Sequence, residues 1–147
     1  NMLVGTLPTE IGRLTLLREW STTLNRMLTG TMPSEIGQLT NLRRLELQLN
    51  RHTGTLPTEL ARCTSLISLS LNQNEWTGTP AAITQLTSLQ SLYVTRSNLT
   101  NVGEIICGSN LVLSIFAANA CSENAVACPC CTHCCFLDET TCPPIIQ

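Results

Sequence analysis

The sequence predicts an α/β solenoid of stacked repeats with a parallel sheet, and three observations carry that expectation. The word Gly54-Thr-Leu-Pro-Thr-Glu-Leu60 returns as Gly5-Thr-Leu-Pro-Thr-Glu-Ile11 and Gly30-Thr-Met-Pro-Ser-Glu-Ile36, with a worn copy from Gly78. These glycines stand 25, 24 and 24 residues apart. Self-similarity at such a step marks a chain of supersecondary units that bury their apolar faces only by stacking. Secondly, leucines recur between the copies at a fixed spacing. Thirdly, aromatic residues make up only 3% of the 147 residues, so the core has to be aliphatic.

After a partial unit, Asn1 to Thr15, repeat two shows the leucine spacing best: Leu42, Leu45, Leu47, then Asn50, Gly54 and Pro57. Repeat three follows it with Leu66, Leu69, Leu71, Asn74, Gly78 and Pro80. Repeat one is looser (Leu17, Trp20, Thr22, Asn25), with one extra residue before Gly30. Repeat four has Leu89, Leu92 and Val94, with Asn98 one place late, and lacks the Gly-x-x-Pro word. Leu-x-Leu is a period-2 signal, so Leu45 and Leu47 share one face of a short strand. Strands stacked at about 4.8 Å form a parallel sheet over a continuous leucine core. The asparagines end each strand, where a side-chain amide can satisfy backbone groups left unpaired by the turn. Proline followed by Thr-Glu or Ser-Glu reads as the first turn of a short helical segment.

The run L-x-x-L-x-L-x-x-N with Gly and Pro behind it resembles the plant-type leucine-rich repeat, most fully over Leu42 to Leu66 and in outline over residues 1–100. His52 in a leucine place, the extra residue before Gly30 and the deletion before Pro80 depart from it. The resemblance implies a right-handed β/α or β/3-10 superhelix with a concave parallel sheet. It also implies an extracellular role, secreted or as a receptor-like ectodomain, in binding a protein, peptide or glycan.

On this reading residues 1–106 hold the repeats, and residues 107–147 hold a last strand and a cysteine-rich cap. Leu111, Leu113 and Ile115 are the expected last strand, with Asn119 placed after Ile115 as Asn98 is after Val94. Cys107, Cys121, Cys128, Cys130, Cys131, Cys134, Cys135 and Cys142 crowd the C-terminal part. Zinc ligation by the Cys-x-x-Cys pairs around His133 is one chemistry open to them. Four disulfides are the other, favoured by the even count and by an extracellular repeat; their pairing stays open. A cap there would cover the leucines of the final repeat. The Cys128-Pro-Cys-Cys-Thr-His-Cys-Cys135 word is similar to caps of diatom leucine-rich-repeat proteins. Cys63 stands apart at a repeat entry and reads as a buried free thiol.

Composition excludes several functions. The net charge is −2, there is no lysine, and the eight arginines form no basic run, so no nucleic-acid partner is expected. The longest apolar run, Leu111 to Ala118, is broken by Ser114 and falls short of the roughly 20 residues that span a bilayer. No membrane segment is expected within these residues; the chain opens in mid-repeat and reads as a piece of something longer, in which a membrane anchor stays open. Catalysis lacks its parts. The only histidines, His52 and His133, have no nucleophile and acid at a recognisable spacing. Glu10, Glu35 and Glu59 recur because they hold the same place in successive repeats, which marks a structural column. No catalytic residue, metal or cofactor is assigned.

Binding is expected on the strand positions that alternate with the leucines. They read as columns: Glu19, Arg44, Ser68 and Ser91; Ser21, Glu46, Ser70 and Tyr93; Thr23, Gln48, Asn72 and Thr95, with Arg96 beside them. A rigid scaffold that displays such positions is where recognition usually resides. A structural or adhesive scaffold is the alternative, followed by an enzyme inhibitor. Ice binding through the Thr-Gly-Thr rows at 29–31, 53–55 and 77–79 is a further one, because threonines stacked in strands make a regular array. Asn98-Leu99-Thr100 is a glycosylation candidate.

Overall fold

A computed structural model describes residues 3–118. Strands β1 (Val4–Thr6), β3 (Met27–Gly30), β5 (Arg51–Gly54), β7 (Glu75–Gly78) and β9 (Asn98–Leu99) form one parallel sheet in that spatial order. Strands β2 (Glu19–Ser21), β4 (Arg44–Glu46), β6 (Ser68–Ser70), β8 (Ser91–Val94) and β10 (Ile115–Ala118) form a second, also parallel and in sequence order. Each turn of the solenoid thus contributes one strand to each sheet. The Pro-Thr-Glu words become 3-10 turns at Thr9–Arg13, Ser34–Gln38 and Thr58–Arg62, with a fourth at Ala81–Gln85. After repeat four an α-helix, α1 (Val102–Cys107), takes their place.

The core is the expected leucine stack. Leu42, Leu45, Leu47, Leu66, Leu69 and Leu71 are fully buried, and so are Ile36, Leu60 and Ile83 from the 3-10 turns. Burying each such side chain stabilises the fold by roughly 1.5–3 kcal/mol before entropy is counted. At the first repeat the columns open to solvent. Leu14 is 53% exposed, where Leu39, Cys63 and Leu86 in the same column are sealed.

The asparagines do the work expected of them. Asn74 Nδ2 donates to the carbonyls of Leu47 (2.8 Å), Leu71 (3.2 Å) and Asn72 (3.3 Å), while its Oδ1 accepts from the His52 N–H at 3.0 Å. Asn50 Nδ2 likewise donates to Thr22, Leu47 and Gln48 carbonyls. The residue before each turn-closing position is left-handed: Leu24, Leu49, Gln73 and Arg96 have φ between 51° and 62°. Bulky residues pay for that conformation, and the amide bonds beside them hold it.

Three expectations change. The last strand begins later than Leu111, because Ile115 pairs with Ser91 and Phe116 with Leu92. The repeat spacing is therefore met by Leu113, Phe116 and Ala118, with Leu113 buried like Leu89. In repeat four the asparagine place belongs to Ser97, which is buried and donates Oγ–H to the Val94 carbonyl at 2.7 Å. Asn98 is exposed and starts β9 instead. Finally, repeat four keeps the left-handed glycine position, filled by Asn101 at φ 56°. Gly78 pairs with Leu99, two residues before Asn101, as Gly54 pairs with Trp76, two residues before Gly78. Asparagine tolerates that backbone region better than other residues with a Cβ.

Candidate ligand-binding site

Strand pairing brings the predicted columns together. Glu19 pairs with Arg44, Arg44 with Ser68 and Ser68 with Ser91. Ser21, Glu46, Ser70 and Tyr93 are likewise joined in register. The third column continues past the strand ends, where the Leu49 N–H reaches the Asn72 carbonyl and the Gln73 N–H the Thr95 carbonyl. A shallow hollow of about 380 Å³ lies on this sheet, lined by Glu46, Gln48, Ser68, Ser70, Asn72 and Tyr93. Leu49 and Gln73 complete its lining and were not among the expected residues. They occupy the left-handed row that precedes each asparagine, and that recurrent place was the signal available for finding them.

Not every expected residue presents a surface. Ser70, Asn72 and Thr95 are 7%, 5% and 3% exposed, so they support the face more than they offer contact area. Ser70 Oγ donates to Asn72 Oδ1 at 2.7 Å, and Ser21 and Thr23 share a 2.8 Å hydrogen bond in repeat one. These short side chains satisfy one another along the strand, and Ser70 and Asn72 are buried. Glu19, Ser21, Arg44 and Arg96 are exposed, while Thr23, Glu46, Gln48, Ser68, Ser91 and Tyr93 are half-buried. Arg44 lies 3.6 Å from the Glu19 carboxylate and 3.9 Å from that of Glu46. Such solvated pairs contribute little to stability, but they orient the arginine across the sheet. Gln48 Oε1 is shielded from solvent without a hydrogen-bond partner among the described residues.

The recurring glutamates hold equivalent places in successive 3-10 turns. A Cβ added at Gly12 would meet Glu35 Cβ at 2.9 Å, and one at Gly37 would meet Glu59 Cβ at 2.8 Å. Successive 3-10 turns therefore stack with each glutamate backbone seated on the glycine of the turn before.

The threonine rows are staggered by two residues from strand to strand: Thr29 pairs with Arg51, Thr53 with Glu75 and Thr77 with Asn98, while Thr6 pairs with Thr29. The threonine after each glycine serves packing. Thr6, Thr31 and Thr55 set their Cγ2 methyls where a Cβ at Gly30, Gly54 and Gly78 would stand, 2.8 Å away in each case.

Cys63 is buried, and its Sγ–H points to the Ile36 carbonyl at 3.2 Å. Burial pushes its thiol up to about 11. Among the described residues no three of His, Cys, Asp and Glu gather as a metal site would require. None of their helices is long and apolar enough to cross a membrane. His133 and the predicted cap cysteines Cys121, Cys128, Cys130, Cys131, Cys134, Cys135 and Cys142 lie outside the described residues, as does Asn119. Cys107 ends α1.

No protein-family model matches the chain, and no curated protein matches it. Solved structures do. The PEPR1–AtPEP1 complex is 32% identical, over 78% of this chain and 17% of that one, with a TM-score of 0.69. The leucine-rich-repeat ectodomain of the receptor kinase SOBIR1 from Arabidopsis thaliana is 27% identical, over 78% of this chain and 63% of that one, with a TM-score of 0.68. The fold is that of a leucine-rich-repeat ectodomain. The Arabidopsis receptor kinase HAESA, solved with the peptide hormone IDA and the co-receptor SERK1, is 29% identical, over 80% of this chain and 20% of that one, with a TM-score of 0.66. This leucine-rich-repeat chain spans less than two thirds of each of them. The extracellular placement read from the sequence agrees with the SOBIR1 ectodomain.

Proposed function

We propose that the chain is a non-catalytic, receptor-like recognition module whose concave sheet, β2–β4–β6–β8–β10, binds an extended peptide. The observation that carries this is the hollow of about 380 Å³ on that sheet, with Tyr93 and Glu46 in one register column and Gln48 beside them. Tyrosine offers a large contact area at low entropic cost, and it is enriched where binding energy concentrates. Peptide as the ligand class is supported by similarity to HAESA with its peptide hormone, and to the plant peptide hormone receptor RGFR1 in complex with RGF2, at 32% identity and a TM-score of 0.60.

A random-peptide display selection against the folded chain tests the reading. Binders that saturate, and that lose at least tenfold in affinity with Tyr93→Ala plus Arg44→Ala while the circular dichroism is unchanged, support it. Saturable binders indifferent to that double substitution overturn the choice of face. A structural scaffold is the second reading, favoured by the burial of Ser70, Asn72 and Thr95 and by the mutual pairing of Arg44 with Glu19 and Glu46. It predicts that no saturable binder emerges.

A further inference from the structure

We propose that Asn98 is a site of N-linked glycosylation, made available because Ser97 has taken over the turn-closing role of the repeat asparagine. In repeats two and three that asparagine, Asn50 or Asn74, is buried and spends its amide on backbone carbonyls. It also lies three residues before the threonine of the Thr-Gly word, Thr53 or Thr77, so neither repeat contains Asn-x-Thr. In repeat four the Ser97 hydroxyl closes the turn on Val94, and the asparagine moves one place along. Asn98 then stands in the row of Arg51 and Glu75, both exposed, as it is itself. The shift also brings it two residues before Thr100, which holds the place of Thr53 and Thr77. Asn98-Leu99-Thr100 is the only Asn-x-Ser/Thr in all 147 residues.

The reaction joins Asn98 Nδ2 to the anomeric carbon of an oligosaccharide carried on a lipid diphosphate. The C–N bond forms as the anomeric C–O bond to the diphosphate breaks; the lipid diphosphate leaves with the electron pair and the amide loses one proton. In the folded chain the sugar stands on β9, the outer strand of its sheet among the described residues. An open strand edge invites pairing with another chain, and a bulky polar substituent there blocks it. The sugar belongs to the sheet that does not carry the hollow, so recognition and modification do not compete.

The proposal rests on the extracellular reading. The full 147-residue chain is therefore expressed in eukaryotic cells behind an added secretion leader, which sends it through that pathway whether or not the reading holds. Peptide mapping of the secreted, folded protein is expected to find glycan on Asn98, released by a peptide amidase with conversion of the residue to Asp. Asn98→Gln and Thr100→Ala should each lose the whole glycan mass, and Thr100→Ser should retain it. Secreted protein with bare Asn98 overturns the proposal, as does glycan found only on retained, misfolded chains. Mapping of the unsubstituted chain keeps the test valid if a variant fails to fold.

Discussion

The imidazole of His52 stacks on the indole of Trp76, with ring centroids 5.2 Å apart and planes inclined by 21°, and both side chains are fully buried. Nε1 of Trp76 has no hydrogen-bond partner among the described residues, and the ring nitrogens of His52 find only poorly aligned contacts with the Thr29 and Gly30 backbone. Burial lowers the imidazole pKa below its ordinary 6.5, against a weaker opposing pull from the Thr29 and Gly30 backbone. The unfolded chain therefore takes up a proton that the folded chain resists. This contribution to stability is complete above pH 6.5, declines as pH falls below it, and levels off once pH passes the folded pKa. Urea unfolding between pH 8 and pH 4 should show that decline in the native chain. His52→Leu should flatten this part of the profile and raise stability near neutral pH by about 1 kcal/mol, since removing poorly satisfied buried nitrogens outweighs the lost ring stacking.

Asn74 ties two turns together through its amide, so its loss is not a surface event. Asn74→Ala strands buried carbonyls and the His52 N–H, and should lower the unfolding free energy by roughly 3 kcal/mol. Asn98→Ala, at an exposed position, should change it by less than about 0.5 kcal/mol. Denaturant titrations of the two variants from the same unglycosylated preparation make the comparison.

Gly54 carries two demands at once: φ is +78°, and the Thr31 methyl fills the space beside it. Gly54→Ala should cost roughly 2–3 kcal/mol, from left-handed strain together with the overlap. Adding Thr31→Ser removes the methyl and should recover the steric share but not the conformational one. A double-mutant cycle by thermal unfolding separates them.

Cys63 should resist alkylation in the native chain. Its thiol is pushed up to about 11 by burial and is sealed from solvent, so little thiolate is present or accessible at pH 8. Iodoacetamide at that pH, followed by peptide mapping, should leave Cys63 unmodified until denaturant is added.

Much of this was legible in the sequence, because leucine spacing is itself the record of burial. Leu45 with Leu47 specified a strand face, and Gly54 with Pro57 specified the step. The concave columns followed from that step by counting, and the strand pairing of Arg44, Ser68 and Ser91 agrees. What escaped were places where a different residue solved the same backbone problem. Ser97 closes a turn without an amide, Asn101 turns left-handed without being glycine, and Phe116 and Ala118 stand in register with Leu92 and Val94. Each keeps the geometry while breaking the word. The burial of Ser70 and Asn72 was hidden for another reason: depth on a sheet depends on neighbours in adjacent strands, and periodicity along one strand does not report it.

The asparagine at position 74 also bears on how the stack comes apart. A carboxamide has two protons to give, so Asn74 closes its own turn on Leu71 and still holds the Leu47 carbonyl of the turn before. The second and third turns are therefore joined by a side chain as well as by strand pairing. In a one-dimensional array with only nearest-neighbour coupling, cooperativity weakens where such a tether is cut. Asn74→Ala should let amides of β6 and β8 exchange with deuterium through a sub-global opening of lower free energy than in the native chain, making this joint the seam along which the solenoid unzips.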